Sequence, residues 1–133
     1  MMTTKLENTL SVAQQAFGYF TQGLETGDWQ AFLDILTDDF TFWFPTGKFH
    51  GLNQGKARAK EFFEYVSQAF QSGIKLTSLD SITSNEKTVI FEFRDEGLLL
   101  GKPYKNRVAI AFDIRDNQIC AYREYFGSDG KSY

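Results

Sequence analysis

Residues 104–126 read YKNRVAIAFDIRDNQICAYREYF and alternate on both sides of one tight turn. In the first arm Tyr104, Asn106, Val108, Ile110, Phe112 and Ile114 fall on one face. Lys105, Arg107, Ala109, Ala111, Asp113 and Arg115 fall on the other. A period of two over a run this long predicts a half-buried β-strand. Asp116-Asn117 tolerates the left-handed angles of a two-residue hairpin turn, and the second arm then places Cys120, Tyr122, Glu124 and Phe126 on one face. Arg123 and Tyr125 face the other way. Glu124 therefore stands in a row of large apolar groups, where a carboxylate is costly unless it has a task or a partner.

Working outward, the preceding segments are also strands. Residues 74–83 and 88–99 are separated by a turn at Asn85-Glu86, and a turn at Gly101 to Pro103 leads into the long hairpin. The alternation slips between Leu76 and Leu79, which predicts a bulge near Ser78 and a bent strand. In the next strand Val89, Phe91, Phe93 and Asp95 share a face, so a second acid, Asp95, points inward with them.

The N-terminal half reads as helices. Leu6, Leu10, Ala13, Phe17, Phe20 and Leu24 draw one apolar stripe down a helix ending near Gly23 or Gly27. Asp28 can cap a short second helix carrying Trp29, Phe32, Leu33 and Leu36, which Thr37-Asp38-Asp39 breaks. A strand over 40–44 stops at Pro45-Thr46-Gly47, and 48–50 is expected to return as its partner. Gly51-Leu52-Asn53 then leads into a third helix with Ala59, Phe62, Phe63, Val66 and Phe70 on one face, stopped at Ser72-Gly73. Helices followed by a meander predict an α+β domain, three helices packed on one face of a strongly curved antiparallel sheet. Such a sheet forms a cone around an apolar pocket.

Composition bounds the function. The chain has 133 residues, enough for one domain (1–133) with a core that needs no staples, and 14 of them are Phe. That much aromatic bulk implies an aromatic core or a cavity lined with rings. A net charge of -3 with scattered Lys and Arg argues against nucleic acid and anionic membranes as partners. No apolar run approaches the length that crosses a bilayer. The single cysteine, Cys120, allows no internal disulfide, and the N-terminal residues lack the apolar run of a signal peptide, so a cytoplasmic protein is expected. One His and one Cys do not supply a zinc site, and no metal or organic cofactor is expected.

Several familiar site chemistries are absent. The stretch 51–56, GLNQGK, has glycine spacing one short of a phosphate loop, with Ala57 where a hydroxyl would hold magnesium. No serine stands in a nucleophile-elbow context. His50, the only histidine, lies where a strand hands over to a loop and reads as a surface or capping residue.

The order of elements, with Gly27-Asp28, Leu36-Thr37-Asp38-Asp39-Phe40, Pro45, Gly51, Asn117-Gln118-Ile119 and Arg123-Glu124-Tyr125-Phe126, resembles the SnoaL-like branch of the NTF2-like superfamily. The resemblance covers nearly the whole chain. It implies an NTF2-like cone, a homodimer, and a pocket between the concave sheet face and the helices. The related ketosteroid isomerases use a tyrosine on the first helix, an aspartate base before a proline, and a second aspartic acid in the penultimate strand. Those positions fall here on Phe20, Phe44 and Ile110, all apolar. The resemblance therefore does not extend to steroid isomerisation by that mechanism.

The candidate site is drawn from the inward faces. Glu124, among Tyr122, Phe126 and Ile110, becomes a usable general acid or base; the alternative is a bend that turns it outward to Arg94 or Arg107. Asp95 and Asn106 should meet across the Gly101 hairpin and form a polar end to the pocket, or else sit hydrated beside the loop. Phe20, Phe44, Phe91, Phe93, Ile110, Tyr122 and Phe126 are expected to line the pocket, with Tyr104 at its mouth and Tyr19 aiming a hydroxyl inward if its helix is rotated. On the other sheet face Ala109, Ala111 and Ala121, rimmed by Arg107, Arg123 and Tyr125, are small enough to let a second sheet approach, which suits a homodimer. Two functions stay open: a cofactor-independent acid-base enzyme of isomerase, cyclase or lyase type acting on a small apolar or aromatic molecule, and a non-catalytic carrier, sensor or interaction module.

Overall fold

A computed structural model describes residues 4–127. Helix α1 (Lys5–Thr26) starts where the Thr4 hydroxyl accepts the Glu7 N–H, and it ends at Gly27, whose left-handed φ of 79° closes the last turn onto Gly23. Its inward stripe is Ala13, Ala16, Phe17, Phe20 and Leu24. Helix α2 (Gln30–Asp34) is shorter than the expected one. Trp29 stands at its N-cap, and Asp28 Oδ1 accepts the Gln30 N–H at 3.2 Å. Trp29 Nε1 donates to Ser67 at 2.8 Å, pinning α2 to α3 (Lys56–Ala69).

Strand β1 (Leu36–Phe44) begins four residues earlier than the sequence suggests, because Leu36 pairs with Ile119 instead of finishing a helix. The expected return strand over 48–50 is instead a 3-10 turn (Gly47–Phe49), and β2 (Gly51–Gln54) is the true antiparallel partner of β1. Glycine at 47 and again at 51, both with positive φ, lets the chain turn twice where sequence reading supplies one reversal.

Strands β3 (Ile74–Ser84), β4 (Thr88–Leu99), β5 (Lys102–Arg115) and β6 (Gln118–Gly127) follow as a meander. The sheet order is β2-β1-β6-β5-β4-β3, curved and unclosed. Four of its five pairs are antiparallel, while β1 and β6 run parallel. The β3 register shifts between Leu76 and Ser78 and again between Leu79 and Ser81, so the edge strand bends as expected. Asp116 and Asn117 have φ of 52° and 62°, the pair of left-handed residues that a primed hairpin turn requires.

A further irregularity follows that turn. Register shifts between Asp113 and Ile114, so Ile119, fully buried, packs inward in place of Cys120, whose Sγ lies 3.4 Å from the Asp113 carbonyl. From Tyr122 onward the inward row is as the alternation predicts. The three helices cover the concave face, and an almost continuous ring cluster joins them to it. Phe17 stacks on Phe91 at 4.2 Å, Phe20 meets Phe32, Phe112 and Tyr122, and Phe63 stacks on Trp29 at 4.4 Å.

Candidate functional site

The ring cluster does not fill the cone. A cavity of about 230 Å³ remains, lined by Phe20, Phe44, Phe93, Tyr104, Tyr122 and Phe126 from the expected set. The helices add Leu24, Trp29, Phe62, Phe63, Val66 and Phe70, which the sequence marks as buried stripe without distinguishing cavity wall from core. Exposed Thr46, Gly47, Lys48 and Tyr65 bring the lining out to solvent.

Three expected lining residues lie elsewhere. Phe91 is packed core outside the cavity, its ring covered by the stacked Phe17 ring. Ile110, fully buried directly opposite Glu124, is core beneath the cavity. Tyr19 sits off the buried stripe of α1, and its hydroxyl accepts from Gln15 Nε2 at 2.9 Å near the surface. His50 is exposed beside Trp43, outside the cavity.

The polar residues converge. Asp95 on β4 stands directly across from Asn106 on β5, and both are buried, at 6% and 4% exposure. Asn106 Nδ2 donates to the Tyr104 hydroxyl at 3.1 Å, and its Oδ1 accepts the Arg107 N–H at 2.9 Å. Asp95 Oδ1 makes no hydrogen bond within the described residues. Burial alone pushes its carboxyl up to about 7.

Glu124 also faces the cavity. Arg94 is engaged elsewhere, on Asp80 at 2.9 Å, and Glu124 instead accepts a short hydrogen bond from the Tyr122 hydroxyl. Burial lifts the Glu124 carboxyl to about 7; the Tyr122 bond pulls it down and the charge of Asp95 adds to the lift. Tyr122, fully enclosed, is held well above the ordinary tyrosine value by burial first and by the Glu124 charge second. Chemically, this is one aromatic chamber with two carboxyls, each poised between acid and base near neutrality, plus the Asn106 amide and the Tyr104 and Tyr122 phenols. Among the described residues no three His, Cys, Asp or Glu side chains gather to hold a metal ion. None of the helices among those residues is long and apolar enough to cross a membrane.

The family model of the SnoaL-like domain matches residues 17–122, from the middle of α1 to Tyr122. The chain belongs to the SnoaL-like family. An NTF2-like protein of Anabaena variabilis shares 71% of its sequence, superposes with a TM-score of 0.92, and is covered over 99% of its length by 100% of this chain. More distant SnoaL-like folds include a candidate polyketide cyclase of Xanthomonas campestris, at 20% identity and a TM-score of 0.76 with 93% of each chain covered. A candidate SnoaL-like polyketide cyclase of Jannaschia shares 15%, with a TM-score of 0.76 and 95% of this chain covering 90% of that one. These two establish the fold only. No curated protein matches this SnoaL-like chain.

Proposed function

We propose that this SnoaL-like protein binds a small, largely apolar molecule in the aromatic chamber and moves a proton on it with Glu124. The observation that carries the reading is the inward Glu124 carboxyl, oriented by Tyr122 and brought by its surroundings to about 7, where a general acid-base group is most effective at neutral pH. In its ionised form Glu124 takes a proton from a carbon next to a substrate carbonyl. The C–H electron pair moves onto the carbonyl oxygen, and the proton returns at another atom. This is an isomerase step. In a cyclase step the enolate carbon attacks a second carbonyl of the same molecule, and Glu124 returns the proton to the new alkoxide. In a lyase step the enolate re-forms its carbonyl while a β-substituent leaves with that proton. Each uses side chains the chamber already holds. Two of the distant structural neighbours are described as candidate polyketide cyclases. Asp95 and Asn106, at the other polar end, orient the molecule. On the convex face half-buried Ala109 and Ala121, with Ala111 buried at 3% exposure beside them, and Trp43 and Tyr125, whose rings meet at 5.4 Å, mark the surface through which a homodimer would assemble.

The second reading, a carrier or sensor without catalysis, is favoured by the apolar residues at all three isomerase positions, Phe20, Phe44 and Ile110. One experiment separates the two. Hydrogen-deuterium exchange at the α-carbons of 1-phenyl-2-propanone, followed by ¹H NMR in D₂O, should be accelerated by the protein and fall at least about 100-fold in Glu124→Gln, as loss of a general base does. Exchange unaffected by the substitution, with the ketone still bound, would leave the carrier.

A further inference from the structure

The acid-base reading leaves the polar end at Asp95 without an assigned ligand group, and three features of the chamber bear on it. The first is an acceptor without a donor: Asp95 Oδ1 is buried and unbonded among the described residues, and the amide paired across from it, Asn106, directs its Nδ2 to Tyr104. The second is the sign of charge. Among the described residues, the titratable groups lining the chamber are Asp95 from β4, Tyr104 from β5, Tyr122 and Glu124 from β6, Tyr65 from α3, and Lys48 from the 3-10 turn. The only basic side chain in that set, Lys48, is exposed, with its ammonium over the Phe49 ring at 5.5 Å. Two acids thus share an apolar space that contains no buried counter-charge. The third is the wall itself, which presents the rings of Phe20, Trp29, Phe63, Phe70, Phe93 and Phe126.

Resting on the proposed ligand-binding role, we infer that the ligand carries a basic nitrogen, protonated in the complex, on an apolar or aromatic body, and that its ammonium group seats at Asp95. A neutral hydroxyl would satisfy Oδ1 but leave the two carboxyls repelling each other. An ammonium donates to Oδ1, offsets the charge of both acids, and is drawn to ring faces as cations are in aromatic cages. A cleft lined by one sign of charge with low-dielectric walls also concentrates the opposite ion. An anionic ligand meets the reverse of each effect.

The test uses matched pairs, 2-phenylethylamine with 2-phenylethanol and tryptamine with tryptophol, titrated against the full chain by calorimetry at pH 5.5 and 8. Alkylammonium groups, like lysine, lose their proton only near about pH 10, so the amines stay charged throughout. The amines should bind at least about tenfold more tightly than their alcohols at pH 8. That gap should shrink at pH 5.5, where Asp95 and Glu124 take up protons, and Asp95→Asn should close it at pH 8 by weakening the amines at least about tenfold relative to the alcohols. The wild-type pH dependence decides the matter even if the variant folds poorly. Alcohols binding as tightly as amines at pH 8 would overturn the basic-nitrogen assignment and leave the apolar pocket and Glu124 standing. Failure of both amines and alcohols to bind at millimolar concentration would overturn the ligand-binding reading along with it.

Discussion

Asp95 and Glu124 store a conflict at the level of single side chains. Both carboxyls are more easily ionised in the unfolded chain, near 4, than in the folded one, near 7. Between those values the folded state binds more protons than the unfolded state, so the stability contributed by the protonated acids is present at low pH and is lost as pH rises from about 4 to 7. For Asp95, the more deeply buried residue, the loss is on the order of 4 kcal/mol. Urea unfolding at pH 5 and pH 8 should therefore show the wild type weaker at pH 8. Asp95→Asn should flatten that difference and gain stability at pH 8, and a variant with an unchanged pH profile would place Asp95 in water. The inward placement of these residues is legible from alternation alone, since a period of two assigns a face. What alternation leaves open is depth along the strand: Phe91 and Ile110 share the face of Phe93 and Asn106 yet lie in packed core, Phe91 under the stacked Phe17 ring and Ile110 fully buried opposite Glu124.

At the level of elements, the four-strand meander is legible because each strand is long and each turn carries its own chemistry, Asn85 after β3, Gly101 after β4, Asp116-Asn117 after β5. Short or irregular elements are not. Strand β2 has four residues, too few to show a period, and the polar start of β1 at Thr37 to Asp39 resembles a loop although it runs beside β6. The shift at Asp113 that sends Ile119 inward instead of Cys120 leaves no mark in composition. One junction holds several elements together. Gly73 follows α3 with φ of 82°, and a Cβ there would lie 2.3 Å from the Glu25 carbonyl oxygen at the end of α1. Gly97 of β4 packs on the Gly73 carbonyl, 2.7 Å from where its Cβ would be. Gly73→Ala combines an unfavourable φ with a backbone clash and should cost about 2–4 kcal/mol in denaturant unfolding. A loss below about 0.5 kcal/mol would mean that α1 and the turn after α3 separate freely.

The molecule as a whole presents two faces with different tasks. The concave face, under the helices, holds the chamber; the convex face holds small residues with large ones around them. Arg123 is fixed there by two bonds to Asp113, at 2.9 and 3.0 Å, and Tyr125 stands 47% exposed. If that face assembles the dimer, sedimentation at tens of micromolar should give a dimer that Ala109→Glu converts to a folded monomer; a monomeric wild type would remove the proposed interface without touching the chamber. The proposed function rests on the chamber and its two carboxyls. The most direct measurement is the ¹³C NMR titration of the Asp95 and Glu124 carboxyl carbons in the intact protein, assigned with Asp95→Asn and Glu124→Gln. Transitions for both near pH 7 are predicted. Transitions for both near 4, as for carboxylates in water, would contradict the proposed proton-transfer role.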